Sequence, residues 1–450
     1  MIQCNFFAIA LSVALCLSNL VNATSIADSL RAAYKYNPEF LKSVTSVEIQ
    51  KEQSLSDLSK FLPNISFQSQ RSTSKDRNPQ TKNTINRSDS TNNSNTYQIN
   101  QNIFNGGEDY AKLMAGKILI SAKEYAALDI QQQVFLKVIQ SHLNVIAQKK
   151  IVIEYQKNLA YLEKTLKAEE EKFNAGLTRA TDLSATKSKL EAGKAQLASA
   201  IAQMEVEESQ YKVLTGIDPL ELEMPSIVAE VQADVPGLYA QATKTNLALQ
   251  SSKLAYDASE IVSKSAFSTF LPNISFQYQY SKSSNSRLNP VYSRLYETYT
   301  KNRTAIATVN VPIFQGGAEY AQYRLTKLQA SQARLDYIAA LANTESTVKQ
   351  AWFQFGATKS ALKAYQEASK ASKAALDGIN ESYNEGLVSI TDLLDALKED
   401  VNNNVNLINA HTSMIVRFYQ VKAVTGELTA DTMGLNDQAD DAKNERSAEQ

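Results

Sequence analysis

The octapeptide FLPNISFQ occurs at Phe61–Gln68 and again at Phe270–Gln277. It is one of four phrases this chain repeats in the same order. IFNGGEDYA at 103–111 matches IFQGGAEYA at 313–321, and FNAGLTRATDL at 173–183 matches YNEGLVSITDL at 383–393. Thr215–Gly216 of VLTG matches Thr425–Gly426 of AVTG. The last three pairs share an offset of 210 and the octapeptide has 209, so one single-residue indel separates the copies. Ordered anchors at one offset are a tandem duplication. Whatever half of the chain folds into, the other half must fold into again, and the two must pack together. The halves are expected at 24–235 and 236–430, with a disordered polar tail over 431–450.

Each half changes texture in a fixed order. All nine prolines fall at or before 79, between 219 and 290, or at 312. From Glu108 to Phe173 the chain is rich in Ala, Leu, Lys, Glu and Gln, with apolar residues at helical spacing such as Val134, Val138, Val145, Ile146 and Ile153. A helix of this length is about 100 Å long at ~1.5 Å per residue, which suits coiled-coil rods and helical tubes better than a globular core. The same holds from Glu319 to Tyr383. A second helix follows, ending near Leu214 in one half and Val424 in the other. Gly176 and Gly386 suit helix C-caps, and the Thr–Asp pairs six residues on from the start of each GL element suit the next N-cap. Each half therefore contains a long helical hairpin, over 106–214 and 316–424.

Around the octapeptides the period changes to two. Ile65 and Phe67 oppose Ser66, Gln68 and Gln70; Ile274, Phe276, Tyr278 and Tyr280 oppose Ser275, Gln277 and Gln279. Tyr97, Ile99 and Ile103 alternate with Gln98, Asn100 and Asn102, and Val309, Val311 and Ile313 with Thr308 and Asn310. This predicts four strands of about 9–11 residues, the length of a tilted membrane strand, in pairs over 64–104 and 273–314. Long polar loops are expected at 72–95 and 282–303. A soluble half-buried sheet shows the same alternation, so two hairpins capping a helical rod remain open at this point. The uncharged Gln, Asn, Ser and Thr face suits a watery lumen. Four strands cannot close a barrel, and open edges in lipid leave unpaired backbone groups at several kcal/mol each. Closure needs further copies, and three is the smallest number that leaves a pore.

The N-terminus, MIQCNFFAIALSVALCLSNLVNATS, holds a 12-residue apolar run at Phe6–Leu17, too short to span a bilayer, followed by VNA at 21–23. It is expected to be a signal peptide, residues 1–23, although no basic residue precedes the run. Both cysteines, Cys4 and Cys16, lie inside it, so a mature chain has no disulfide, thiolate metal site or cysteine nucleophile. With 46 basic and 47 acidic residues the net charge is −1, which implies no nucleic acid partner. Two histidines, His142 and His411, lie far apart in helical stretches, where they read as surface or wall residues. No phosphate-cradling loop, G-x-S-x-G or H-E-x-x-H is present, so neither an enzyme nor a cofactor is expected.

Two halves of about 210 residues, PNISF strand starts, IF-x-GG before a very long helix, and the turns FNAGLTRATDL and YNEGLVSITDL together resemble the TolC-like outer-membrane factor family over residues 24–428. The resemblance implies a mainly α chain with membrane β-structure. It would be a homotrimer whose four strands per chain form a twelve-stranded outer-membrane β-barrel continuous with a periplasmic helical barrel. It further implies an exit duct for a tripartite efflux pump or type I secretion, set in outer-membrane lipid. Its partners would be a periplasmic adaptor (membrane fusion) protein and an inner-membrane transporter. The family's constriction matches Asp392 and Asp395 here, and spacing i, i+3 puts both on one helical face. The plainer reading is that Asp392 caps a helix and Asp395 is solvated; the first half has Asp182 but Ala185. The family's closing links match Thr181, Asp182 and Tyr383, and its adaptor-docking turns match Gly176–Leu177 and Gly386–Leu387. Where some members place an arginine this chain has Val388, and Arg179 is the nearest substitute. The rival function is a structural rod or trimeric adhesin without transport.

Overall fold

The structure, a computed structural model of the chain, describes residues 24–81, 84–225, 234–289 and 294–435. The expected signal peptide lies outside them. The first half runs α1 (Ile26–Tyr36), α2 (Pro38–Ser59), β1 (Asn64–Thr81), β2 (Thr84–Asn105), α3 (Glu108–Asn174) and α4 (Ala180–Thr215). The second runs α5 (Val235–Thr245), α6 (Leu247–Lys264), a 3-10 turn at Ser265–Phe270, β3 (Asn273–Asn289), β4 (Arg294–Asn310), α7 (Ala318–Asn384) and α8 (Ile390–Val424). α3 and α7 are each 67 residues long.

Both octapeptides act as helix-to-strand converters. Proline pushes its predecessor out of the α region, and each strand starts at the asparagine after it, Asn64 and Asn273. The return from strand to helix uses the double glycines. Gly106, Gly107, Gly316 and Gly317 have φ of 69°, 86°, 68° and 87°, a backbone that side-chain-bearing residues rarely adopt.

The chain divides into two compact units, each drawn from both halves. One comprises Ser46–Glu124 and Ser251–Ala339. Its centre is a four-stranded antiparallel sheet in the order β1-β2-β3-β4, so among the described residues the outer edges of β1 and β4 have no partner within the chain. The strands are 18, 22, 17 and 17 residues long, far beyond the 9–11 expected. The stretches read as polar loops are paired ladder: Arg71 opposes Asn93, Asp76 opposes Ser88, and Ser286 opposes Glu297. Polar composition marked the loss of a lipid-facing side there, not the end of backbone pairing. A bulge between Asn102 and Phe104 sets Phe104, rather than Ile103, opposite Ile274.

The other unit comprises Met1–Thr45, Tyr125–Gln250 and Ala340–Gln450. Its main core joins Leu30 and Ala33 of α1 to Phe135, Val138, Ile139 and Leu143 of α3 and Ile415 of α8. A second cluster packs Leu162, Leu190, Leu393, Leu394 and Leu397, holding the two helical hairpins together. Residues 431–435, expected within the disordered tail, form a turn that seats Leu435 in the main core. Residues 436–450 lie outside the described ones. Among the described residues no helix is long and apolar enough to cross a membrane.

Candidate functional site

The four tip helices are turned by the same local chemistry. The N–H of Gly176 donates to Phe173 O (2.9 Å) and that of Leu177 to Lys172 O (2.8 Å). Gly386 and Leu387 repeat this with Tyr383 O (3.0 Å) and Ser382 O (2.9 Å). These are Schellman closures, which need a left-handed residue, and Gly176 and Gly386 supply φ of 73° and 77°. Closing the backbone on itself leaves the next side chain outside. Leu177 and Leu387 are 78% and 72% exposed, an apolar knob on each turn.

The following helices start earlier than the Thr–Asp pairs suggested. The N-cap of α8 is Ser389, whose hydroxyl accepts from the Asp392 N–H (3.2 Å) while the Asp392 carboxylate accepts from the Ser389 N–H (2.9 Å) and hydroxyl (2.6 Å). Asp392 thus sits at the third helical position, as the reciprocal half of a capping box. These bonds from Ser389 hold its carboxyl below the usual aspartate range. The duplicate position in the first hairpin is Arg179, which makes no side-chain cap. Asp395, one turn further along α8, pairs with Lys189 of α4 (2.9 Å).

Of the three expected links, only Tyr383 bridges the hairpins. Its hydroxyl donates to Glu169 Oε1 and accepts from Lys172 Nζ (2.7 Å), and Lys172 also pairs with Glu169 (3.2 Å). Lys172 lies 4.1 Å from the Tyr383 ring centroid, and Thr178 donates to the other Glu169 oxygen (3.2 Å). Glu169 is 1% exposed. Burial, then the bond to Glu169, push the Tyr383 phenol up. For Lys172 burial acts downward, but the bonds to Tyr383 and Glu169 outweigh it and raise the ammonium. Thr181 is exposed and Asp182 half-buried on the first turn of α4, and neither side chain makes a hydrogen bond among the described residues. Besides this group and the Lys189–Asp395 pair, Tyr161 OH donates to Asn380 Oδ1 (2.9 Å) and joins the hairpins higher up.

Glu169 and Lys172 were not singled out from the sequence. They sit in the run EEEK, which reads as a solvated helical face; the available signal was an i, i+3 acid–base pair one turn before Gly176. His142 also differs from expectation. It is fully buried, with Nδ1 2.9 Å from Ser29 Oγ and Nε2 2.9 Å from Glu223 O, and Ser29 in turn contacts Tyr211 OH (2.7 Å). The group ties α1, α3, α4 and the segment after α4 together, as a polar joint in the core. Among the described residues no cluster of His, Cys, Asp and Glu is arranged to hold a metal.

Known proteins share this architecture. The sequence model of the outer membrane efflux protein family matches residues 30–216 and 238–427, once in each half. The outer membrane efflux protein BepC of Brucella suis is 25% identical over 339 residues, covering 75% of this chain and 73% of that protein. The outer membrane protein TolC of Escherichia coli is 23% identical over 322 residues, 68% of this chain and 64% of that one. Among solved structures, the CmeC outer membrane channel of Campylobacter jejuni superposes with a TM-score of 0.78 at 18% identity, covering 93% of this chain and 89% of CmeC. The MtrE channel of Neisseria gonorrhoeae, solved in an open state, gives 0.71 at 18% identity with 90% of each chain covered. With both halves matched, this chain belongs to the outer membrane efflux protein family, a family of outer membrane channels.

Proposed function

We propose that three copies of this chain assemble into a duct that carries substrates out through the outer membrane, as the exit of a tripartite efflux pump or type I secretion system. One observation carries the assembly. The sheet has four strands, an apolar band on one face, a face of Gln, Asn, Ser and Thr opposite that band, and two outer edges with no partner among the described residues of the chain. Such a sheet is stable in lipid only when its edges are paired, and pairing β1 of one copy with β4 of the next does so. Each half, 24–235 and 236–430, gives one strand pair to this barrel and one helical hairpin to a periplasmic tube.

The tip is the gate in this reading. The Glu169–Lys172–Tyr383 group, joined by Thr181 and Asp182 across neighbouring copies, holds it closed, and Asp392 and Asp395 form acidic rings in the bore. Leu177 and Leu387 are the knobs a periplasmic adaptor grips, with Gly176 and Gly386 shaping their turns. The inner-membrane transporter supplies the substrate to the adaptor-bound duct. The structure of MtrE in an open state supports a duct of this fold that opens and closes.

The test is electrical and then chemical. Purified protein in planar bilayers is expected to conduct in steps, with a native mass of three chains. A rod or adhesin gives no current, and that result would sink the duct. Photo-crosslinkers at Leu177 and Leu387 in intact cells should capture an adaptor; capture of none would remove the docking assignment.

A further inference from the structure

The lipid-facing side of the sheet can be read row by row across the four strands. Phe104–Ile274–Val309, Gln101–Phe276–Ala307 and Ile65–Ile99–Tyr278–Ala305 are mostly apolar. Next, toward the hairpin tips, come Phe67–Tyr97–Tyr280–Arg303, in which the rings touch in sequence at 4.8 and 6.3 Å and Arg303 lies 5.6 Å from the Tyr280 centroid. From Ile274 to Tyr280 the band runs about 20 Å along the strand at ~3.4 Å per residue, and it ends in an aromatic row as the bands of membrane barrels do.

The row beyond the aromatic one is Ser69–Asn95–Lys282–Lys301. Ser69 and Asn95 are bonded to each other (2.8 Å). Lys282 and Lys301 are directly opposed, where like charges repel across about 5 Å. Both are exposed, as is Arg303 diagonal to Lys282, and none of the three has an ion pair among the described residues. Arg71 extends the band on β1. The opposite face at this height carries no charge: Gln68, Gln70, Thr96, Ser94, Ser281, Ser283, Asn302 and Thr300. Further toward the tips charges occur on both faces, Lys75, Asp89 and Glu297 on the lipid side and Arg287 on the opposite one. At the height where the lipid side meets the headgroups they fall on the lipid side alone.

We propose that Lys282, Lys301 and Arg303 bind the phosphate groups of the lipid A glycolipid that forms the outer leaflet. The three cations lie within one diagonal step of each other, so two phosphates on one headgroup can be met together, and an anion between Lys282 and Lys301 removes their repulsion. The aromatic row beneath places its rings at the depth where acyl chains join the sugar. This rests on the sheet being part of a membrane barrel with its hairpin tips outward.

Full-length protein, delipidated in detergent, is titrated with bisphosphorylated lipid A and with lipid A stripped of phosphate, and bound lipid is counted by native mass spectrometry. The wild type is expected to prefer the phosphorylated form at least tenfold. Combining Lys282→Gln, Lys301→Gln and Arg303→Gln should weaken its binding by about a hundredfold. Equal retention of both lipids by the wild type overturns the proposal even where the triple variant fails to fold. So does unchanged binding by a folded triple variant, or displacement by inorganic phosphate at matched concentration. Conductance is recorded on the same preparations. Protein that keeps the phosphate preference but passes no current removes the duct alone, and protein that conducts without the preference removes this site alone.

Discussion

Glu169 stays buried because three groups reach its carboxylate, namely the Tyr383 hydroxyl, Lys172 and Thr178. Tyr383→Phe keeps the ring and removes the hydroxyl that donates to Glu169 across the hairpins. A hydrogen bond to a charged group contributes about 2 kcal/mol, and the partly solvated Lys172 cannot replace it. Single-channel records should show a higher open fraction of the tip, and an unchanged fraction would exclude this group as a latch. His142 makes a different prediction, on stability. Glu223 O can only accept, so Nε2 carries the proton and Nδ1 accepts from Ser29. Burial pushes the imidazole pKa down, partly offset by the Glu223 carbonyl. The folded chain therefore binds fewer protons than the unfolded one, and this contribution is full above the unfolded pKa of about 6.5 and is lost as pH falls below it. Thermal midpoints should drop from pH 7.5 to 5.0, and His142→Gln should flatten that slope by at most about 1.4 kcal/mol per pH unit. His411, shifted the same way by burial and then Lys150, adds a contribution of the same sign that is separated by His411→Gln. Neither residue announced its role in the sequence. A buried glutamate in EEEK and a buried histidine on an apolar helix both look local, and what defines them is a partner 214 or 113 positions away.

At the scale of elements the duplication works as an internal control. Ser389 and Arg179 are equivalent positions, as are Asp392 and Asp182, yet only the second hairpin has a capping box. Ser389→Ala should cost about 1 kcal/mol and speed amide exchange over 390–394. Arg179→Ser should gain up to about 1 kcal/mol by rebuilding the box with Asp182, slowing exchange over 180–184. If both hairpins exchange alike in the wild type, the box is not what orders α8. Elements were the most legible part of this fold. Long proline-free runs, Gly176, Gly386 and Pro63 each act on the backbone within a few residues, so α3 and α7 were readable almost to their ends. Strand length was not. Beyond Gln70 the side chains become polar on both faces, and composition then resembles a loop, while the antiparallel pairing that continues to Thr81 and Thr84 is held by main-chain bonds that no side chain reports.

For the whole molecule, the acidic residues of α8 are the sharpest point of contact between one chain and the proposed assembly. Within the chain the two carboxylates are unequal. Asp392 is held ionised by Ser389 and has no ion pair among the described residues, whereas Lys189 compensates Asp395. A ring built from three copies would thus draw its field mainly from Asp392, with Asp395 in reserve behind a lysine. Block by divalent cations applied from the periplasmic side should fall several-fold, on the order of tenfold, in Asp392→Asn. Asp395→Asn alone should change little, and Lys189→Gln should strengthen block by releasing Asp395. Because Asp392→Asn also disturbs the cap, Ser389→Ala provides the control: it loosens the same turn but keeps the charge, so block should persist. Weakened block in Ser389→Ala would assign the effect to helix fraying. Unchanged block in Asp392→Asn would place the constriction elsewhere along the bore.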